Sequence, residues 1–166
     1  MPAGSTYSTI ATTTLGSAAT SYTFTGIPST YTDLIFVGAF ATDNPSSLNL
    51  NMGNGSIDTG SNYGWTYLQG DGSTATSARG SNDGRIFSGE SNTGSMQTNI
   101  IIHFQNYSNT TTFKTSISRF NQSTKATQAT VGLWRSTSAI NQIRLTANGN
   151  NLNIGSTFTL YGISCA

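Results

Sequence analysis

Leu48-Asn49-Leu50-Asn51-Met52 alternates apolar and amide side chains one for one. A period of two marks a strand with one face on a core and the other toward solvent. Working outward, the same period returns along most of the chain. Upstream, Leu34, Phe36 and Phe40 share one face, and Ile35, Val37 and Ala39 share the other. A segment apolar on both sides belongs at the centre of a sheet. Tyr22 and Phe24 alternate with Thr23 and Thr25. Downstream, Tyr63, Trp65 and Tyr67 alternate with Gly64 and Thr66, and Ile100, Ile102 and Phe104 oppose Ile101, His103 and Gln105. Phe113, Thr115 and Ile117, then Val131 and Leu133, Ile143 and Leu145, and Phe158 and Leu160 complete the series. No long apolar stripe at helical spacing occurs.

Gly and Asn punctuate these segments, at Gly26-Ile27-Pro28-Ser29, Asn44-Pro45, Gly53-Asn54-Gly55, Gly70-Asp71-Gly72, Asn82-Asp83-Gly84 and Asn148-Gly149-Asn150. Both residues accept the positive φ that tight hairpin turns demand. Short alternating segments with such turns predict an all-β, antiparallel β-sandwich of jelly-roll type, with about eight to ten strands and essentially no helix. The expected division is an extended N-terminal arm over residues 1–20 and a single sandwich domain over 21–166. The polar stretch from Gly70 to Gly94, with Arg85-Ile86-Phe87 as its one short strand, reads as a long surface loop. The expected core is Phe24, Leu34, Phe36, Leu50, Ile100, Ile102, Phe113, Ile117, Leu133, Ile143, Leu145, Phe158 and Leu160.

Only 8% of residues are charged, against about 25% in an ordinary domain. Hydroxyls and amides therefore do the solvating. The net charge is +1 and aromatics make up 10%, which separates this chain from disordered ones, usually highly charged and poor in aromatics. Seven scattered Lys and Arg against six acids give no basic stripe, so nucleic acid is not an expected partner. The longest apolar run, Leu34 to Ala41, is too short to cross a bilayer as a helix, and no membrane role is expected. The first residues, MPAGSTYSTIATTT, show neither a basic start nor an apolar run, so a signal peptide is not expected and synthesis in a cytoplasm is. Cys165 has no second cysteine to pair with in the chain and reads as a tolerated thiol.

The search for chemistry predicts a protein that is not an enzyme. A Ser-His-Asp arrangement has only His103 for its base, on an alternating apolar segment, and no GxSxG elbow exists. One His and one terminal Cys cannot make a zinc site. Asp33, Asp43, Asp58, Asp71, Asp83 and Glu90 all sit in or beside turns, where Asp is at home without catalysis. No calcium-loop run occurs near Asp58, Asp71 or Asp83. Neither a catalytic residue, a metal nor a cofactor is expected. The ladder Tyr63-Trp65-Tyr67 is the functional candidate. With Asn82 and Asp83 it offers aromatic faces beside hydrogen-bonding side chains, the materials of glycan recognition. The same ladder, like Trp134, also fits a core strand or a contact between subunits.

Four segments carry a resemblance: Tyr22 to Leu34 (YTFTGIPSTYTDL), Phe104 to Thr115 (FQNYSNTTTFKT), Val131 to Leu145 (VGLWRSTSAINQIRL) and Gly155 to Ile163 (GSTFTLYGI). Together they resemble small virion-surface proteins of tailed phages, especially those of cyanophages and other marine phages. The resemblance implies a jelly-roll sandwich on the outside of the particle. Its leading implication is a capsid decoration (cement) protein that binds the major capsid protein of the assembled shell as an oligomer, expected to be a trimer. The alternative it implies is a carbohydrate-binding receptor module of a tail fibre or tail tip, with a host surface glycan as partner. In the decoration reading, the N-terminal arm would attach by adding a strand to a neighbour's sheet.

Overall fold

The alternating segments pair into two stacked antiparallel sheets in a computed structural model that describes residues 6–91, 98–122 and 126–164. In chain order the strands are β1 (Tyr7–Thr14), β2 (Ser21–Phe24), β3 (Asp33–Phe40), β4 (Ser46–Asn54), β5 (Ser56–Ile57), β6 (Tyr63–Gly70), β7 (Ala75–Asp83), β8 (Ile86–Ser91), β9 (Thr98–Gln105), β10 (Lys114–Gln122), β11 (Ala126–Trp134), β12 (Gln142–Ala147) and β13 (Thr157–Ile163). The larger sheet runs β1-β13-β3-β9-β10-β11-β6-β7. The smaller runs β2-β12-β4, with β5 and β8 both pairing with β4. The described residues form an all-β sandwich without a helix.

Period-two burial explains the stacking. Leu48, Leu50 and Met52 of β4 turn inward beside Ile143 and Leu145 of β12, and meet Leu34, Phe36, Ile102, Phe158 and Leu160 of the larger sheet. Phe158 is the aromatic hub, with ring centroids 5.4 Å from Tyr22, 5.9 Å from Phe36 and 5.8 Å from Phe40. As its two-sided apolar pattern predicts, β3 lies inside the larger sheet, between β13 and β9. The turn after β12 closes with Asn150 N donating to Ala147 O at 3.3 Å, and Gly149 supplies its left-handed φ of 77°.

Four expectations change. First, the described residues hold thirteen strands, more than the eight to ten expected. Second, residues 75–83, inside the stretch read as a loop, are β7, while the short strand expected at Arg85-Ile86-Phe87 is present as β8. β7 is an edge strand whose side chains are almost all exposed. Backbone pairing with β6 holds it, so it buries no apolar set that a period could reveal. Third, the segment read as an arm contains β1, which pairs with β13 of its own sheet through a bulge between Thr9 and Ala11. Fourth, Phe113 and Ile117 are exposed and Leu133 is half-buried, because β10 and β11 take the opposite phase. Lys114, Ser116, Ser118, Phe120 and Gln122 point inward, as do Ala126, Gln128, Thr130, Gly132 and Trp134. The cause is how close β8 lies. A Cβ on Gly132 would stand 2.5 Å from Ile86 Cδ1 and 2.7 Å from Ser116 Oγ. Small residues are required there, while Phe120 and Trp134 fill the ends. Inward-facing Lys114 places its ammonium on the carbonyls of Thr112 (2.7 Å) and Thr137 (3.1 Å), and burial pushes its pKa below the usual lysine value.

Candidate functional site

The tyrosine–tryptophan ladder divides between core and surface. Tyr63 is fully buried. Its hydroxyl accepts from Met52 N at 3.0 Å and faces the carbonyls of Met52 (3.0 Å) and Asp58 (2.9 Å). Burial pushes its pKa up to about 12. It stacks on Trp134, centroids 6.4 Å apart and planes within 15°. Trp134 is itself buried and donates Nε1–H to Asp58 Oδ2 at 2.7 Å. Burial acts to raise the Asp58 pKa, but bonds from Trp134, Asn62 and Gly60 N hold it below the ordinary value. Both aromatics serve the core.

Trp65 and Tyr67 do something else. They lie on the inner side of β6, near where the smaller sheet ends at β8, and both stay half-buried. Their rings are parallel to within 9°, centroids 5.9 Å apart. Phe87 of β8 stands beside both, its centroid 5.6 Å from Trp65 and 5.3 Å from Tyr67 and its plane inclined 43° to each. The Trp65 indole rests on Gly80, where a Cβ would come within 2.6 Å of Cε2 and Nε1. Thus the missing side chain on β7 is what lets the indole lie down. Trp65 Nε1–H donates to Asp83 Oδ2 at 3.1 Å. Asp83 Oδ1 accepts from Gly84 N (2.7 Å) and Arg85 Nη1 (3.2 Å). Asn82, exposed and at a φ of 56°, makes the turn that brings Asp83 to the indole.

From this shelf a polar network continues onto the outer face of the smaller sheet. Arg85 donates Nε–H to Asn49 Oδ1 at 2.8 Å. Register then places Asn49 beside Thr146, and Asn51 beside Arg144. Asn51 donates to the carbonyls of Asp58 and Gly84. The face is rich in donors, with a half-exposed Arg85 guanidinium at its rim.

Of the six candidates, Trp65, Tyr67, Asn82 and Asp83 come together, while Tyr63 and Trp134 form a separate buried pair. The sequence reading missed Phe87, Arg85, Gly80 and Asn49. Arg85 and Phe87 stood on an expected short strand with nothing to mark them as neighbours of Trp65, and a glycine under a ring leaves no signal in one sequence. Elsewhere, His103 Nε2 meets Asp33 Oδ2 at 2.8 Å, and Asp33 Oδ1 also accepts from Asn106 N. Asp71 caps its own turn by accepting from Ser73 N and Thr74 N. Among the described residues, no three His, Cys, Asp or Glu converge as metal ligands would. Cys165 lies outside the described residues.

No protein-family model and no curated protein matches the chain. Among solved structures, a single-site variant of congerin II is 14% identical, with 84% of this chain and 98% of that one covered and a TM-score of 0.39. A galectin of Caenorhabditis elegans, LEC-6, is 8% identical, with 93% and 96% covered and a TM-score of 0.35. CG-16, a homodimeric agglutinin from chicken liver, is 9% identical, with 83% and 98% covered and a TM-score of 0.32.

Proposed function

We propose that the protein is a non-catalytic carbohydrate-binding module that holds a glycan on the Trp65–Tyr67–Phe87 shelf. The observation that carries this is three half-buried aromatic rings gathered at one sheet edge, beside a carboxylate and a guanidinium already fixed by hydrogen bonds. A pyranose ring is apolar on its faces and polar around its rim. Its C–H face stacks on Trp65 and Tyr67, and its hydroxyls meet the free Arg85 N–H groups and the remaining lone pairs of Asp83. Trp65, Asp83, Arg85 and Asn49 are tied to one another by hydrogen bonds, so little ordering cost falls on binding. The setting that the sequence resemblance implies, a tailed-phage particle, makes this a receptor module and the glycan one from a host surface.

The test is a panel of immobilised polysaccharides, followed by titration of hits against the Trp65 Nε1–H resonance. Trp65→Ala should weaken binding at least about tenfold, or about 1.4 kcal/mol. If no glycan at millimolar concentration moves that resonance, the reading fails.

Shell decoration is the second reading. One observation favours it: with 8% of residues charged, contacts rest on neutral hydroxyls, amides and aromatics, which suit salt-insensitive docking on protein. The two readings part on copy number, with hundreds of copies per particle for decoration and at most a few dozen for a tail module.

A further inference from the structure

The outward phase of β10 and β11 leaves apolar side chains in solvent. Ile101 of β9, Ile117 of β10, Val131 of β11 and Leu68 of β6 are 37%, 46%, 57% and 67% exposed. All four point outward from adjacent strands of one face. Ile117 is directly opposite Val131, and one row further Arg119 is opposite Ala129, which is opposite Leu68. Phe113, 53% exposed just before β10, extends the band. The Ile117–Val131 row is the ridge, and one row further lies a hollow of about 770 Å³ whose lining includes Leu68 and Ile101 themselves, with Ala75, Arg119 and Ala129. A lone molecule with this face bare is prone to associate.

We propose that the occupant is a second copy of this chain, packed face to face across a two-fold axis. Such an interface requires one patch complementary to itself, and this face carries a ridge and a hollow side by side on the same strands. An axis crossing the strands between the Ile117–Val131 row and the Arg119–Ala129 row lays each copy's ridge in the other's hollow. Size agrees. From β13 to β7 there are six strand spacings of about 4.8 Å, and about 22 Å of strand length gives a flat footprint of roughly 600 Å². Side-chain relief brings that near the roughly 800 Å² per partner of a standard interface. The charge pattern agrees as well. Asp33 on this face is already taken by His103, so no carboxylate has to be buried unpaired, and Arg119 can run its stem along the hollow while its head reaches the rim. The aromatic shelf lies on the opposite side of β6, so both copies keep it open and the pair is bivalent.

Sedimentation equilibrium of the full chain, from micromolar to about 0.2 mM, tests this at 0.15 and 1 M NaCl. The expected mass is twice 17.4 kDa at both salts. Val131→Glu and Leu68→Glu should each raise the dimer dissociation constant at least tenfold (about 1.4 kcal/mol) with far-UV circular dichroism unchanged. Ile154→Glu, at an equally exposed residue outside the band (69%), should leave the dimer intact. A monomer at the highest concentration, a trimer, or a dimer indifferent to Val131→Glu and Leu68→Glu would overturn the proposal. None of these outcomes depends on whether the shelf binds a glycan.

Discussion

Adding one methyl group at Gly80 should lift Trp65 off the sheet. In Gly80→Ala the new Cβ would sit 2.6 Å from Cε2 and Nε1 and 2.8 Å from Cζ2 of the indole. Carbon atoms in good contact are about 3.5–4.0 Å apart, so the ring must retreat by roughly 1 Å. Backbone pairing of β7 with β6 holds the floor, which leaves the ring as the part that moves. A shift of that size stretches the 3.1 Å bond to Asp83 past useful length and breaks the parallel arrangement with Tyr67. Overpacking costs about 1–3 kcal/mol, and a hydrogen bond to a charged group about 1.5–3 kcal/mol. Since Trp65 is half-buried, it can swing outward and recover part of this in water. The net expectation is a loss of about 1–3 kcal/mol, or roughly 2–10 °C in Tm for a chain of this size. Urea unfolding measures the loss, and the Trp65 Nε1–H resonance reports the indole's position. If stability and that resonance both match the unmodified protein, the indole does not rest on Gly80, and the shelf as described is wrong.

Two more predictions follow from burial. Phe120→Ala, at an inward ring packed on Gly89, should cost about 3–5 kcal/mol. Ile117→Ala, outward on the same strand, should cost under about 1 kcal/mol. Urea midpoints in the reverse order would restore the phase read from the sequence. Stability should also change direction with alkaline pH. The folded Lys114 pKa lies below 10.5, so as pH rises through it the unfolded chain binds more protons and stability increases. Tyr63 is raised from 10.0 to about 12, so between those values the folded chain keeps a proton the unfolded one loses, and stability falls. Unfolding midpoints from pH 8 to 12 should rise and then drop. Lys114→Met should remove the rise; a rise that persists in this variant would assign it to another group.

How much was legible depends on which side of a strand has something opposite it. Leu34, Phe36, Leu50, Ile102, Ile143 and Leu160 face a full opposing sheet, and each reads correctly as core. β10 and β11 face the edge strand β8 at close quarters, where Ser116, Ser118 and Gly132 fit and larger residues do not. Their apolar residues accordingly point to solvent, and alternation alone cannot say which phase is inside. β7 carried no signal because a strand held by backbone pairing leaves its side chains free to be polar. The candidate site was half legible. A Trp beside Tyr is visible in the sequence, but Phe87 arrives from β8, twenty-two residues after Trp65, and only the register of β8 against β4 brings it there. Tyr63, at the same spacing and on the same side as its neighbours, belongs to the core because it stacks on Trp134 and bonds to Met52 of β4, contacts that no spacing reveals.

The place of β3 has a consequence for how the chain folds. Its two neighbours, β9 and β13, begin 65 and 124 residues after Asp33. During synthesis the segment LIFVGAF therefore emerges long before either partner exists, as the most apolar strand of the molecule and with both edges unpaired. Sheets closed by such distant contacts fold slowly, on the order of milliseconds to seconds, and a waiting apolar strand is open to misassociation. Slower translation should prolong that exposure in this protein, and chaperone capture of nascent chains should end only once residues 157–163 have cleared the ribosome and slid in beside it.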